Sequence, residues 1–217
     1  VFTQIFRIGD DVPHYPVMLL FNIVVFTFFQ EATIAAVTSV VAQEGVVRKT
    51  QFPRVVIPLA VVLTALFNFG VNLVVVLVFL LASGVPVEWT WLFFPLLVLV
   101  LTVITTAVCL LVSSLFVRFR DVGIIWGVLA TALFYATPVL YPIEVVPERF
   151  HDIVLINPLT PIFIELRHLV IDNSAPTAVS AAGGWLGLLP AVAVTIALCL
   201  LAVKVFSREA PRIAEEL

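Results

Sequence analysis

Apolar residues run along this chain in long unbroken blocks, without strict alternation and without a narrow core stripe. Five blocks approach or exceed the roughly 20 residues that a helix needs to cross a bilayer. They cover about 17–41, 55–81, 91–117, 122–140 and 185–206. Hydrophobicity on all faces predicts helices, because the strands of a membrane barrel would alternate. Residues 1–8 read as the tail of a sixth, earlier span. The chain opens without a methionine or a basic signal region, so it reads as one entered partway.

Composition agrees with this pattern. The chain of 217 residues is 62% hydrophobic and 12% charged, whereas soluble domains run about 45–50% and about 25%. Its mean hydropathy is +1.20. These values exclude a cytosolic globular enzyme, a disordered chain and a disulfide scaffold, and they predict an integral membrane protein. The net charge of −3 says less than where the charges lie. Arg48, Lys49, Arg54, Arg118, Arg120, Lys204, Arg208 and Arg212 fall in one set of connections, against Arg7, Arg149 and Arg167 in the other. The positive-inside rule makes the richer set cytoplasmic and puts the C-terminus inside. Counting the earlier span then gives six spans with both ends in. Tyr15, Trp89, Trp91, Tyr141 and Trp185 fall at the outer ends, where amphipathic rings favour the headgroup region. Cys109 and Cys199 lie inside apolar blocks and read as small packing residues.

Three connections carry more information than the spans. Residues 43–54 mix Arg48, Lys49 and Arg54 with Phe52, and Pro53 bends the chain before the next span. The segment fits a basic anchor with a proline-marked helix start, and it also fits a docking element for a cytoplasmic partner. The turn Arg118-Phe119-Arg120-Asp121 is only about four residues long. Asp121 stands where a helix begins and is expected to cap it, while Arg120 pairs with Asp121 or faces a partner. The third connection, 141–184, has 44 residues and is too long to lack structure. Within it Ile162, Phe163, Leu166, Leu169 and Val170 recur at helical spacing over a stretch too short to span. This predicts a helical hairpin that dips back from the outer surface, delivered by a bend at Tyr135, Pro138, Tyr141 and Pro142.

Chemistry-bearing residues are sparse. His14, His151 and His168 are scattered, and no metal-ligand spacing, nucleophile elbow or P-loop occurs, nor any acidic dyad within the spans. Glu31 is the charged residue of note within a span, beside Gln30 and Thr33, and is expected to face protein or water. A structural hydrogen bond and a place on a transport path are both open to it. Phe28, Phe29, Phe67, Phe134 and Tyr135 are candidate conduit residues whose rings suit sugars, although core packing also explains them. Gly183 and Gly187 make one GxxxG spacing, a hint of close helix packing.

Together these segments carry a resemblance. Lys49-Thr50-Gln51-Phe52-Pro53-Arg54 followed by Ile57-Pro58-Leu59 resembles the cytoplasmic loop of type-2 ABC export permeases. Phe119-Arg120-Asp121-Val122 resembles that family's turn between its fourth and fifth spans. Pro138-Val139-Leu140-Tyr141-Pro142, Val146-Pro147-Glu148-Arg149 and Asn157-Pro158-Leu159-Thr160-Pro161 are similar to its outer gate region. The match is best with the subgroup exporting lipid-linked polysaccharides such as O-antigen, teichoic acid or galactan, over about residues 16–206. It implies an all-α membrane protein with a single transmembrane permease domain over 1–217 and the outer gate region at about 141–184. It further implies a homodimer joined to two cytoplasmic ATP-binding subunits in the bacterial cytoplasmic membrane. The permease is then not an enzyme and binds no cofactor, ATP and Mg belonging to the partner.

On this resemblance Arg48, Lys49, Phe52, Pro53, Arg54, Arg118, Phe119, Arg120 and Asp121 serve ATPase coupling and the cytoplasmic gate. Pro138, Tyr141, Pro142, Asn157, Pro158 and Pro161 form the outer gate. The same architecture also serves permeases for a drug or small lipid. A self-contained secondary transporter would carry more charge within its spans than Glu31 alone.

Overall fold

A computed structural model of the chain describes residues 14–43 and 53–209. Among these, every regular element is helical. Helix α1 is Tyr15–Ala42, α2 is Val56–Ala82, α3 is Phe94–Arg118 and α4 is Val122–Ala136. Short helices α5 (His151–Ile156), α6 (Leu159–Val170) and α7 (Ala178–Ala181) fill the long connection, and α8 is Leu189–Glu209.

Among the described residues four helical stretches are long and apolar enough to cross a membrane: α1, α2, α3 with the 3-10 turn before it, and α8 with its own preceding turn. The expected span 122–140 ends earlier. Thr137 leaves helical geometry, and Pro138, which has no N–H to donate, follows it. The resulting α4 of 15 residues is about 22 Å long, short of the roughly 30 Å hydrocarbon core. The expected hairpin is present as α5 and α6, bent by 108°. Asn157 Oδ1 accepts from Leu159 N at 3.1 Å, and Pro158 interrupts the helical ladder, which together fix the break.

α1 lies at the centre. It packs against α2, α3 and α4, while α8 lies against the far side of α3. α1 and α3 run parallel: the rings of Phe21 and Phe94 are 5.8 Å apart near their starts, and Val40 packs beside Val117 near their ends. This gives the molecule a tyrosine end, with Tyr15 and Tyr141, and a basic end, with Arg118 and Arg208. Phe21, Phe26, Phe28 and Phe29 of α1 are fully buried in one core with Phe69, Ile104, Cys109 and Phe163. The lipid-compatible surface is apolar, with Leu63, Val74 and Val78 on α2 and Val192, Ile196, Leu200 and Val203 on α8 exposed.

Two small expectations are revised. Gly183 (φ +66°) and Gly184 (φ +124°) lie in a turn ahead of α8, in backbone conformations that glycine tolerates. The Gly183–Gly187 spacing is therefore not a helix-packing face. Asp121 stands at the start of α4 but makes no side-chain capping bond, because its own backbone is already helical. Its charge still lies at the positive end of α4.

Candidate functional site

Beyond its first turn, where Pro16 is exposed, the exposed part of α1 is a single narrow stripe: Thr27, Glu31, Ile34, Ala35, Thr38 and Ala42. Apart from Ile34 these residues are small or polar, in a helix otherwise dominated by Phe and Val. At 1.5 Å per residue Glu31 lies about 24 Å from one end of α1 and about 17 Å from the other, well inside a bilayer. Asn68 Nδ2 of α2 donates to Glu31 Oε1 at 2.7 Å. α2 presents Ala60, Thr64, Asn68 and Asn72 at four-residue spacing, so a second polar row faces the same direction. A groove of about 580 Å³ runs between α1 and α2 from Gln43 and Val56 up to Glu31, past Thr38 and Thr64. Sequence reasoning had singled out Glu31 but not Asn68 or Asn72. The signal was available, in two amides four residues apart inside an apolar block.

The candidate conduit aromatics do not share one surface. Phe28 and Phe29 are only 1% and 2% exposed. Phe28 meets Phe69 at 5.5 Å, and Phe29 meets Trp126 at 6.4 Å. Phe134 stands edge-on to Phe26 at 5.2 Å and to Tyr135 at 5.3 Å. Phe67 on α2 and Tyr135 on α4 are exposed.

At the tyrosine end the segment after α4 is tied down from several elements. Tyr15 Oη donates to Leu140 O at 2.7 Å, and Asn22 Nδ2 donates to Val139 O at 3.2 Å. Asn157 Nδ2 donates to Thr137 Oγ1 at 2.8 Å, and Tyr141 Oη donates to Tyr135 O at 3.0 Å. Tyr15 is thus a buried tether, not the headgroup anchor its sequence position predicts. Pro138 and Pro142 are buried, while Tyr141, Asn157, Pro158 and Pro161 are half-buried. Pro138, Tyr141 and Pro142 border a cavity of about 10 Å³ with Asn22 and Arg167, room for about one water. Asn22 Oδ1 and Arg167 Nε, both buried, have no hydrogen-bond partner among the described residues.

Arg167 has a role that sequence alone did not reveal. It is 8% exposed, and its Nη1 reaches both Glu144 oxygens, at 2.9 and 2.8 Å. Nearby, burial alone would push the Asp172 carboxyl up. Hydrogen bonds from the Ser174 hydroxyl and backbone N–H, with the positive fields of Arg167 and His168, hold it below its ordinary value instead.

At the basic end Arg118, Phe119, Arg120 and Asp121 are all exposed. The Arg118 guanidinium lies 5.2 Å from the Phe119 ring centre, and that of Arg120 lies 5.2 Å from the Phe116 ring centre. Pro53 O accepts from Val56 N, and Arg54 O accepts from Ile57 N, so these two residues start α2. Arg48, Lys49 and Phe52 lie outside the described residues.

The long apolar helices and the buried central helix, with a mostly apolar groove that carries Glu31, Thr38 and Thr64, define a multi-pass helical membrane protein. The sequence model of the ABC-2 type transporter family matches residues 1–171. The chain belongs to that family of transporter membrane subunits. It is similar to two proteins of Klebsiella pneumoniae named O-antigen export system permease protein RfbA. They are 29% and 27% identical over 175 and 174 residues, which is 80% of this chain and about two thirds (67% and 66%) of theirs. A protein of the same name from Myxococcus xanthus is 26% identical over 219 residues, covering 100% of this chain and 81% of the relative.

Proposed function

We propose that this chain is the membrane subunit of an ATP-driven exporter that moves a lipid-linked polysaccharide across the bacterial cytoplasmic membrane. The family and the names of its relatives support this reading. The structural observation that carries it is the row of Glu31, Thr38 and Thr64 lining one groove within the spans, with Asn68 bonded to Glu31. A carboxylate at that depth is unfavourable against lipid by about 2.5–3.5 kcal/mol at a helix centre. Water or a hydroxylated cargo suits it far better.

In this reading the basic end is cytoplasmic, and the working unit is a homodimer with two ATP-binding subunits. ATP and Mg bind in those partners, and this chain performs no chemistry of its own. Arg54, Phe119, Arg120 and Asp121, with Arg48, Lys49 and Phe52, lie on the coupling surface and cytoplasmic gate. Arg118 borders the same surface. Nucleotide-driven closure shifts the permease only if its two states contact the ATP-bound partner differently. The tethered segment around Pro138, Tyr141 and Pro142, with the α5–α6 break at Asn157 and Pro158, is the outer gate. Glu31 faces the path, Phe67 and Tyr135 are exposed on α2 and α4 outside the Glu31 groove, and Phe28, Phe29 and Phe134 support the helices from the core.

The reading is tested in cells whose own polysaccharide export permease has been deleted. The full-length protein with its ATP-binding partner should restore glycan to the cell surface. Glycan that stays trapped on its lipid carrier inside, with both proteins folded in the membrane, would rule the reading out.

A further inference from the structure

The cleft between the ends of α3 and α8 adjoins the proposed coupling surface at Arg118 and Phe119 but lies away from the Glu31 groove. It holds about 460 Å³ and is lined by Ser114, Leu115, Arg118, Phe119, Val205, Arg208 and Glu209. Arg118 and Arg208 come from the last turns of two different helices. Among the described residues neither guanidinium is paired with a carboxylate in a salt bridge. Glu209 is engaged in an interaction of its own. Each helix end carries about half a negative charge, which a whole guanidinium exceeds. Stacking of Arg118 on the Phe119 ring holds its guanidinium in place and leaves its N–H edge available.

The apolar side of the cleft matters as much as the charge. On α3, Leu111, Leu115 and Arg118 fall at spacings of four and three residues, and on α8 so do Leu201, Val205 and Arg208. Such spacing puts each set on one helix face. Leu115 and Val205 both border the cleft, so each of these faces looks into it. The result is an apolar lane within the bilayer that ends in two guanidiniums at its surface. A hydrocarbon chain attached to a phosphate has that same order of groups. Lys204, exposed on α8 one turn before Arg208, lies about 6 Å from it along the helix and outside the cleft lining.

We propose that this cleft binds an anionic phospholipid, its phosphate between Arg118 and Arg208 and an acyl chain along the α3–α8 lane. Basic pockets between helix ends at a membrane surface suit such headgroups, and each basic group there raises binding about fivefold. The site stands independently of the cargo.

The test uses the full-length protein reconstituted with phosphatidylglycerol and phosphatidylcholine in equal amounts, with retained lipid counted by native mass spectrometry. Wild type should keep phosphatidylglycerol in clear preference, and Arg118→Gln/Arg208→Gln should lose that preference. Arg118→Lys/Arg208→Lys should retain most of it, which separates charge recognition from misfolding. Equal retention by wild type and the Gln pair would overturn the proposal. Inorganic phosphate that displaces the lipid would reassign the cleft to small anions and overturn it too. Loss of ATP-binding-subunit capture by the Gln pair, with lipid preference intact, would make the cleft a protein contact instead.

Discussion

Arg167 and Glu144 form an ion pair in which one guanidinium nitrogen, Nη1, reaches both carboxylate oxygens; the cation is nearly buried and the anion is half open, with side-chain exposures of 10% and 45%. The pair joins α6 to the turn that follows the Pro138–Pro142 segment. Because the guanidinium has the drier position, the pair is asymmetric. Glu144→Gln leaves a buried charge poorly matched and should lower stability by about 2 kcal/mol in detergent. Adding Arg167→Met should recover part of that loss, since replacing both charges is milder than breaking the pair. Thermal unfolding of the two single variants and the double variant checks the cycle. Strictly additive effects would show that the pair is not coupled.

Glu31 separates a polar path from a lipid-facing accident. If its stripe faced lipid, Glu31→Leu would raise stability by about 2–3 kcal/mol. The groove geometry predicts no such gain, together with reduced glycan export. Glu31→Gln keeps an acceptor for Asn68 Nδ2 and should retain most transport. Parallel unfolding and export measurements on both variants distinguish the two outcomes.

Two glycines of α4 should respond in opposite ways. A Cβ at Gly123 would meet the Phe116 ring at 3.3 Å and Val37 at 3.6 Å. The branched side chain of Gly123→Val should therefore overpack the contact and destabilise by about 1–3 kcal/mol. A Cβ at Gly127 meets nothing within 4 Å. Gly127→Ala should be neutral or stabilise by up to about 1 kcal/mol through helix propensity. Unfolding midpoints of the two variants provide the comparison.

Asp172 gives a pH prediction. Its folded carboxyl titrates below the ordinary 3.8, since Ser174, Arg167 and His168 outweigh its partial burial. A depressed folded value means that the contribution is complete above the unfolded value. It is lost as the pH falls through the folded one. Carboxyl-carbon NMR of Asp172 should show a midpoint below 3.8, and Ser174→Ala should move it upward. A midpoint at or above 3.8 would contradict the hydrogen-bonded turn.

What the sequence made legible follows from how each signal is encoded. Spans, the hairpin and the proline bend rest on local hydrophobicity and on backbone chemistry, so they can be read residue by residue. Arg167 could not be placed that way: on the α6 helix it falls between apolar positions, and only its contact with Glu144, 23 residues away, explains its burial. Tyr15 likewise stands at a helix end where a headgroup anchor is expected, yet its hydroxyl donates a hydrogen bond to a carbonyl 125 residues distant. The Phe residues of α1 carry no sequence mark of which face they take. Packing against α2, α4 and α6 is what puts Phe28 and Phe29 inside and leaves Glu31 out. The shortness of α4 was hidden because residues 137–140 remain mostly apolar after the helix has ended.

The central claim is that this membrane chain works with a separate ATP-binding subunit docked at the Arg120–Asp121 turn. Co-expression of the full-length protein with that subunit, followed by purification in detergent and capture through one partner, tests it most directly. The account predicts stoichiometric capture by wild type, weakened at least about tenfold by Arg120→Glu/Asp121→Lys. A folded permease that captures no ATP-binding subunit of an export system, with or without nucleotide, would contradict it.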